Sequence, residues 1–369
     1  MALAGCDHRS MTCTWQAPHL VGQGVGPSIV LSADDVVLSF DDPPAGRITV
    51  VTNPGGAGEA VETIQRDAGY WPSGARLHQV NGMLQLVAGL RECQGVSRLW
   101  KDTSGWHEEA MGFRLRDVGS SSTAGQLVVH GCELGMQFVY SALAIQSWDG
   151  ATWRRSQIPD LCPDIDPMWV CRFAHDVGVD DGGVARVAAS GMESTGYSVR
   201  DLVLWTPQGS GWAKEWVHDA DVAGSAASCP ILPKQGCCDR LAYTIADWPS
   251  GEKSVRVATR SGKAWAYADL DKPVLHAPPY PLPECLATAM TVVDDTTYLS
   301  IVTPGAVIVY QGGEDGWQAH TIDTPAEAVS ADLLVDGQGA VHLVYEVGDT
   351  NEGPNSIYYA TQTCQLARR

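Results

Sequence analysis

The two ends of the chain carry versions of the same short segment. WQAPHL begins at Trp15 and WQAHTID begins at Trp317. Such a repeat is expected when four-stranded sheets are arranged in a ring and an N-terminal strand completes the last sheet. We therefore interpret the fold as all-β, a seven-bladed β-propeller in which the segment from Trp15 to Val21 is the outer strand of the last blade.

An internal repeat built on tryptophan supports a ring of similar units. Five segments place a Trp after a Gly-rich turn at intervals of about 50 residues, close to the period of four short strands and their turns. The residues are Trp106, Trp153, Trp212, Trp265 and Trp317. A sixth copy, which begins at Gly55, lacks the Trp. We expect these indole rings to fill gaps between blades, because large aromatic side chains favour protein cores.

A second repeat reads as two apolar strands around a turn of Asp, Asn or Gly, which is typical of a β-hairpin. Its seven copies begin at Leu31, Gln79, Val128, Val179, Lys234, Val292 and Val335. Together the two repeats predict strand sets near 28–64, 75–113, 126–158, 172–217, 230–270, 286–322 and 329–364, the last completed by 13–21. We predict one propeller domain over residues 13–369, preceded by an N-terminal segment over residues 1–12.

The net charge limits the classes of partner. The chain has 43 acidic and 24 basic residues, which gives a net charge of −19 spread along its length. Such a surface repels phosphate backbones, so we expect no binding to nucleic acid or to anionic membranes. Cations, cationic peptides and neutral sugars remain open as ligands. The sequence has no coiled-coil pattern, and we expect a monomer.

Eleven cysteines in a chain without a zinc-type CxxC pattern favour a disulfide framework formed in an oxidising compartment. Cys13 and Cys364 should face each other across the final hairpin. Cys162 and Cys171 lie in one connection between blades and form the second predicted pair. Cys229 is expected to pair with one of the adjacent Cys237 and Cys238.

The segment from Leu3 to Cys6, LAGC, has the form of a bacterial lipobox and predicts lipidation of Cys6. The charged and apolar segments that precede a lipobox are not in this sequence, so a chance match is the alternative. Lipidation would place the protein outside the cytoplasm, in a bacterial cell envelope, with the lipid as its one link to a membrane. Secretion is the other location that the cysteines favour.

The hairpin VDGQGAVHLVY and the following strand SIYYATQ resemble repeats of secreted bacterial β-propellers in the broad sialidase-like superfamily. The segment from Ser147 to Trp153 is one residue short of the Asp box, S-x-D-x-G-x-x-W, found in that superfamily. An Asp box stabilises a turn, so the resemblance implies architecture and location. The three arginines and the Tyr and Glu pair of a sialidase cannot be assigned here, which leaves the activity open.

Candidate site residues lie on three long connections, over residues 65–75, 159–171 and 218–228, because propeller ligands usually meet such loops. The candidates for ligand binding are Arg66, Tyr70, Trp71, Trp169 and His218. Asp164 and Asp166 could bind calcium, the one candidate cofactor, or could be solvated turn residues. His342 alternates with Val341 and Leu343 as a strand residue would, and we expect it to be structural.

Two functions of different class remain. The first is a non-catalytic, extracytoplasmic binding module whose loop face binds a protein or a glycan. The alternative is a polysaccharide-acting enzyme, a glycoside hydrolase or lyase, with an acidic loop-face site that includes Asp164 or Asp166 and a nearby His or Tyr. We favour the binding module, because no set of catalytic residues occurs at a recognisable spacing.

Overall fold

The computed structural model describes the chain in seventeen stretches with gaps between them. They are residues 11–66, 75–89, 95–111, 115–123, 126–134, 140–148, 151–159, 173–180, 182–191, 201–218, 225–234, 236, 238–247, 252–276, 287–313, 316–348 and 355–366. Every regular element within these stretches is a β-strand. None of them contains a helix long and apolar enough to span a membrane. The described part of the chain is therefore all-β.

Five antiparallel four-stranded sheets form self-contained blades. The first contains β6 (Arg76–Val80), β7 (Met83–Gly89), β8 (Val96–Asp102) and β9 (Gly105–Ala110). The second contains β10 (Leu115–Thr123), β11 (Gln126–Leu134), β12 (Tyr140–Trp148) and β13 (Trp153–Pro159). The third contains β14 (Phe173–Val179), β15 (Ala185–Gly191), β16 (Leu202–Gln208) and β17 (Gly211–His218). The fourth contains β18 (Ser225–Ile231), β19 (Arg240–Asp247), β20 (Glu252–Ser261) and β21 (Ala264–His276). The fifth contains β22 (Ala287–Val293), β23 (Thr296–Thr303), β24 (Ala306–Gly313) and β25 (Gly316–Asp323).

The remaining eight strands form one continuous sheet. They are β1 (Met11–Trp15), β2 (His19–Ser32), β3 (Asp35–Asp42), β4 (Arg47–Thr52), β5 (Ala60–Gln65), β26 (Ala328–Val335), β27 (Val341–Val347) and β28 (Asn355–Leu366). The prediction of seven separate blades is therefore wrong, and the structure has five. The cause is β2, whose first half pairs with β28 and whose second half pairs with β3. The N-terminal segment pairs with β28, as predicted, but its strand continues into β3 and so joins both ends of the chain into one sheet.

Glycines allow β2 to cross from one half of this sheet to the other. A Cβ atom on Gly24 would clash with the carbonyl oxygen of Asp41 and would lie 2.6 Å from the Phe40 ring. Gly22 packs against the same ring, where an added Cβ would again lie 2.6 Å away. Only residues without a side chain fit between β2 and β3 at this point.

We predict that Gly24→Ala lowers the free energy of unfolding by about 1–3 kcal/mol, because the added methyl group overpacks the junction. Urea denaturation followed by fluorescence measures this change. Gly337→Ala is the matched control, since a Cβ there meets nothing within 4 Å. Equal stability of the two variants would show that the junction tolerates a side chain.

The first strand of each blade lies at the centre of the molecule. Consecutive inner strands β6, β10, β14, β18 and β22 contact one another, and β26 and the second half of β2 complete the ring. We call the space that these strands enclose the central channel. Between neighbouring sheets lie apolar clusters, such as the one that contains Leu143 of β12 and Val187 of β15.

The predicted role of the tryptophan repeat is confirmed. Each repeated Trp is the first or second residue of the outer strand in one of the five blades. Each is partly buried against an apolar cluster between sheets. The repeat therefore marks the five blades, and the copy at Gly55 without a Trp precedes β5 in the continuous sheet.

Two strand sets were predicted to begin too late. The set expected at 230–270 omits most of the inner strand β18, part of which was predicted as the connection over residues 218–228. The set expected at 126–158 omits the inner strand β10, whose sequence is LRDVGSSST. Its serines replace the apolar alternation that marks a strand. Ser120 and Ser122 instead contact the buried ring of His78 on β6, with Oγ–nitrogen distances of 2.7 and 3.0 Å.

The backbone places Cys13 and Cys364 directly opposite each other in the β1–β28 ladder. Residues opposite each other in an antiparallel pair have Cα atoms about 4.5–5.5 Å apart, within the range that a disulfide spans. Because a bridge here would close a loop of nearly the whole chain, we predict a contribution of up to about 5 kcal/mol to stability.

Peptide mapping without reductant should recover the two cysteines in one cross-linked peptide. Cys13→Ser and the double variant with Cys364→Ser should lower the unfolding midpoint by similar amounts. Recovery of the two cysteines only in separate peptides would contradict the prediction.

Candidate functional site in the central channel

Charged side chains on or next to several inner strands act on one another near the central channel. Arg76 opens β6, Asp176 lies on β14, Asp332 lies on β26 and Lys234 follows β18. Arg76 and Lys234 both act electrostatically on Asp176 and on each other. With Asp41 of β3, which Arg76 also affects, these side chains form a group that we call the channel cluster.

Lys234 crosses from the fourth blade to the continuous sheet. Its backbone N–H donates to the Met290 carbonyl on β22 at 2.9 Å, and its ammonium group forms an ion pair with Asp332 on β26. The Asp332 side chain is 1% exposed, whereas that of Lys234 is 38% exposed. Desolvation lowers the pKa of Lys234, and the charge of Asp332 opposes this shift. Lys234 therefore connects two parts of the ring through non-covalent contacts, and its side chain is still partly accessible to solvent.

The three carboxyl groups of the cluster each accept a backbone N–H from another part of the ring. Asp41 accepts from Ala75 at 2.7 Å, Asp176 accepts from Leu232 at 2.7 Å, and Asp332 accepts from Ile29 at 3.0 Å. An inner strand has a free edge, and its buried N–H groups need acceptors. The carboxyl groups supply these acceptors. Asp41 and Asp176 thereby link neighbouring sheets, whereas Asp332 links two inner strands of the continuous sheet, β26 and β2.

Burial shifts the ionisation of these groups. Desolvation raises the pKa of Asp41 to about 7, although the Ala75 N–H and the charges of Arg66 and Arg76 oppose it. Desolvation likewise raises the pKa of Asp176 to about 6. The buried ring of His78 shifts the other way, because desolvation and then Lys234 lower its pKa to about 3. Two carboxyl groups beside the channel therefore titrate close to neutral pH, while His78 stays uncharged.

Arg76 is the cation of the cluster with the most unused hydrogen-bonding capacity. Its guanidinium is half-buried, and the contact described for it is a long hydrogen bond of 3.4 Å to the Pro27 carbonyl. A guanidinium carries five N–H donors. Within the described stretches Arg76 has no ion pair closer than 4.0 Å, so most of its donors can bind a ligand or water.

Two of the predicted ligand-binding residues lie in internal contacts. Arg66 is 8% exposed, forms an ion pair with Glu108 and donates to Ser97 Oγ at 3.2 Å. His218 is 4% exposed and donates from Nε2 to the Ser225 carbonyl at 2.9 Å. Neither is presented on an open loop surface, and their contact with a ligand stays a prediction.

The other sequence-predicted site residues lie outside the described stretches. They are Cys6, Tyr70, Trp71, Cys162, Asp164, Asp166, Trp169 and Cys171. Calcium binding by the two aspartates stays a prediction. In the stretches that are described, no group of three or more His, Cys, Asp or Glu side chains is arranged to hold a metal ion.

His342 has partners at both ring nitrogens. Nδ1 lies 2.7 Å from the Tyr359 hydroxyl and Nε2 lies 3.2 Å from Asp336 Oδ2. Asp336 also accepts the backbone N–H groups of Gln338 and Ala340, both at 2.8 Å, and so stabilises the β26–β27 turn. Both contacts are internal, as expected for a structural histidine.

Sequence reasoning missed the channel cluster. The available signal was a charged residue inside an otherwise apolar inner strand, such as Asp176 in FAHDVGV and Asp332 in AVSADLLV. Lys234 could not be linked to them from the sequence, because 98 residues separate it from its partner Asp332.

Comparisons with known proteins support the fold. No family model and no curated protein matches the chain. Among solved structures, the polysaccharide lyase Uly1 has a TM-score of 0.60 and 9% identity, over 93% of this chain and 90% of that one. The β-propeller domain of the Trilobed protease from Pyrococcus furiosus has a TM-score of 0.56 and 10% identity, over 94% and 100%. A subtype N10 neuraminidase-like protein of A/little yellow-shouldered bat/Guatemala/060/2010 has a TM-score of 0.49 and 7% identity, over 81% and 97%. At these identities the likeness is one of fold.

We predict that Asp41 makes stability depend on pH. Its pKa is raised in the folded protein, so its protonated form stabilises the fold at low pH, and this contribution is lost as pH rises through about 7. The asparagine side chain of the Asp41→Asn variant is uncharged at every pH. The free energy of unfolding of the wild type relative to this variant should therefore fall between pH 4 and pH 7, by at most about 1.4 kcal/mol per pH unit.

Urea denaturation at a series of pH values measures this difference. The comparison cancels the opposite contribution of His78, which both proteins share. Asp34→Asn, at an exposed turn position, is the control for a lost carboxyl group. A constant difference between the wild type and Asp41→Asn from pH 4 to pH 8 would contradict the raised pKa.

Proposed function

We propose that this protein is a non-catalytic, extracytoplasmic binding module, and that an anionic group of its ligand binds in the central channel. The observation that supports the proposal most directly is Arg76, a half-buried guanidinium with unused donors beside the partly exposed ammonium group of Lys234. A guanidinium in a partly desolvated site recognises a planar carboxylate through two parallel hydrogen bonds.

The net charge of the protein limits how many acidic groups the ligand can carry. A net charge of −19 repels long polyanions, but a channel of low dielectric strengthens the local field of its own cations. A ligand with one or a few acidic groups can therefore enter the channel. We infer that it is an acidic oligosaccharide, a class that fits a glycan-binding role, and one structural neighbour is a polysaccharide lyase.

We predict that Arg76→Gln weakens the binding of an acidic oligosaccharide by about 10- to 100-fold, the loss expected when a hydrogen bond to a charged group worth about 1.5–3 kcal/mol is removed. Isothermal titration calorimetry with an oligogalacturonate of defined length measures the affinity. A neutral malto-oligosaccharide of the same length tests the need for the carboxylate.

Arg47→Gln is the matched control, because this arginine is 47% exposed and pairs with Asp42 at the β3–β4 turn. It should bind as the wild type does. An Arg76→Gln variant that binds the oligosaccharide as tightly as the wild type would exclude the channel as the site. Equal affinity for the neutral sugar would exclude recognition of an anion.

A polysaccharide-acting enzyme is the second candidate, and one observation favours it. Asp176 is only partly buried, its pKa is raised to about 6, and Arg76 and Lys234 act on it. A carboxyl group with such a pKa can accept or donate a proton near neutral pH. Release of shorter fragments from an acidic polysaccharide, lost in Asp176→Asn with binding retained, would show an enzyme. Stable, uncleaved complexes would support the binding module.

A further inference from the structure

Two carboxyl groups of the channel cluster are held in surroundings that favour their neutral form. Asp41 is fully buried, its Oδ2 accepts a single backbone N–H, and its Oδ1 has no hydrogen-bond partner among the described residues. Asp176 accepts the backbone N–H groups of Leu232 and Val177, and burial is still the main influence on it. Desolvation disfavours the charged form of both carboxyl groups, and protonation relieves that cost.

Arg76 links both carboxyl groups, because it acts electrostatically on Asp41 and on Asp176. Lys234 differs, since its ammonium group is already paired with Asp332. When Asp41 and Asp176 are neutral, the charge of Arg76 is uncompensated within the cluster. When both are ionised, they compensate Arg76 and repel an incoming anion.

We propose that the channel is a proton-controlled anion site, in which protonation of Asp41 and Asp176 permits binding and their ionisation releases the ligand. This inference rests on the proposed function, since it specifies how the same site is regulated. Each release step is one ionisation: a carboxyl group gives its proton to water and becomes a carboxylate. The ligand group, a carboxylate of ordinary acidity, stays charged throughout.

The other charged groups that face these carboxyls set the pH range. Arg66 faces Asp41 and is engaged by Glu108, and Lys234 faces Asp176 and is engaged by Asp332. His78 contributes no charge, because burial lowers its pKa to about 3. The charge of the cluster therefore changes through Asp41 and Asp176, with pKa values of about 7 and about 6. The switch should operate between pH 5 and pH 8.

The test is the affinity for oligogalacturonate at pH 5 and at pH 8 in buffers of equal ionic strength. We expect the wild type to bind at least about tenfold more tightly at pH 5, the change produced by a favourable contribution of about 1.4 kcal/mol. The double variant Asp41→Asn with Asp176→Asn should bind equally at both pH values. Asp34→Asn, which removes an exposed carboxyl group, should keep the pH dependence of the wild type.

A second measurement uses the wild type alone, so that a variant that fails to fold does not decide the outcome. Calorimetry at pH 7 in two buffers of different ionisation enthalpy reports the protons exchanged on binding. Proton uptake with ligand binding supports the switch. Binding without proton uptake contradicts it.

The outcomes separate the switch from the proposed function. Binding that is lost in Arg76→Gln but is equal at pH 5 and pH 8 would overturn the switch and leave the binding site. A pH dependence that persists in the double variant would also overturn it. No binding of oligogalacturonate at either pH would overturn both the switch and the acidic-oligosaccharide function.

Discussion

The innermost strands of the ring need hydrogen-bond acceptors at an edge where no further strand can pair. Buried N–H groups without partners are costly, and the carboxyl groups of Asp41, Asp176 and Asp332 supply the acceptors. Each of these bonds joins two different parts of the ring. The same interactions therefore hold neighbouring inner strands together and place acidic groups near the central channel.

The use of carboxyl groups as acceptors at the inner strands also changes the electrostatics of the channel. Desolvation of the fully buried Asp41 and the partly buried Asp176 moves their pKa values towards neutral pH. Arg76 and Lys234 therefore act on carboxyl groups whose charge changes with pH in the physiological range. Lys234 is engaged by Asp332, whereas Arg76 retains donors for a ligand. An arrangement that stabilises the ring thus also creates a site with adjustable charge.

The sequence was informative where a repeat has a simple physical cause. The tryptophans recur because each outer strand needs a large apolar side chain against the neighbouring sheet, and they locate all five blades. The number of blades was mispredicted because β2 has two pairing partners, which a local pattern cannot reveal. β10 was missed because serines that contact His78 replace its apolar residues. The channel cluster was missed because its members come from distant parts of the chain.

The most direct test of this account is the ionisation of the two shifted carboxyl groups. Carbon-13 NMR of aspartate carboxyl carbons, with signals assigned by Asp41→Asn and Asp176→Asn, follows each group through a pH titration. We predict midpoints of about 7 for Asp41 and about 6 for Asp176. Midpoints near 4 for both, the ordinary value for aspartate, would contradict the claim that buried acceptors set the charge of the channel.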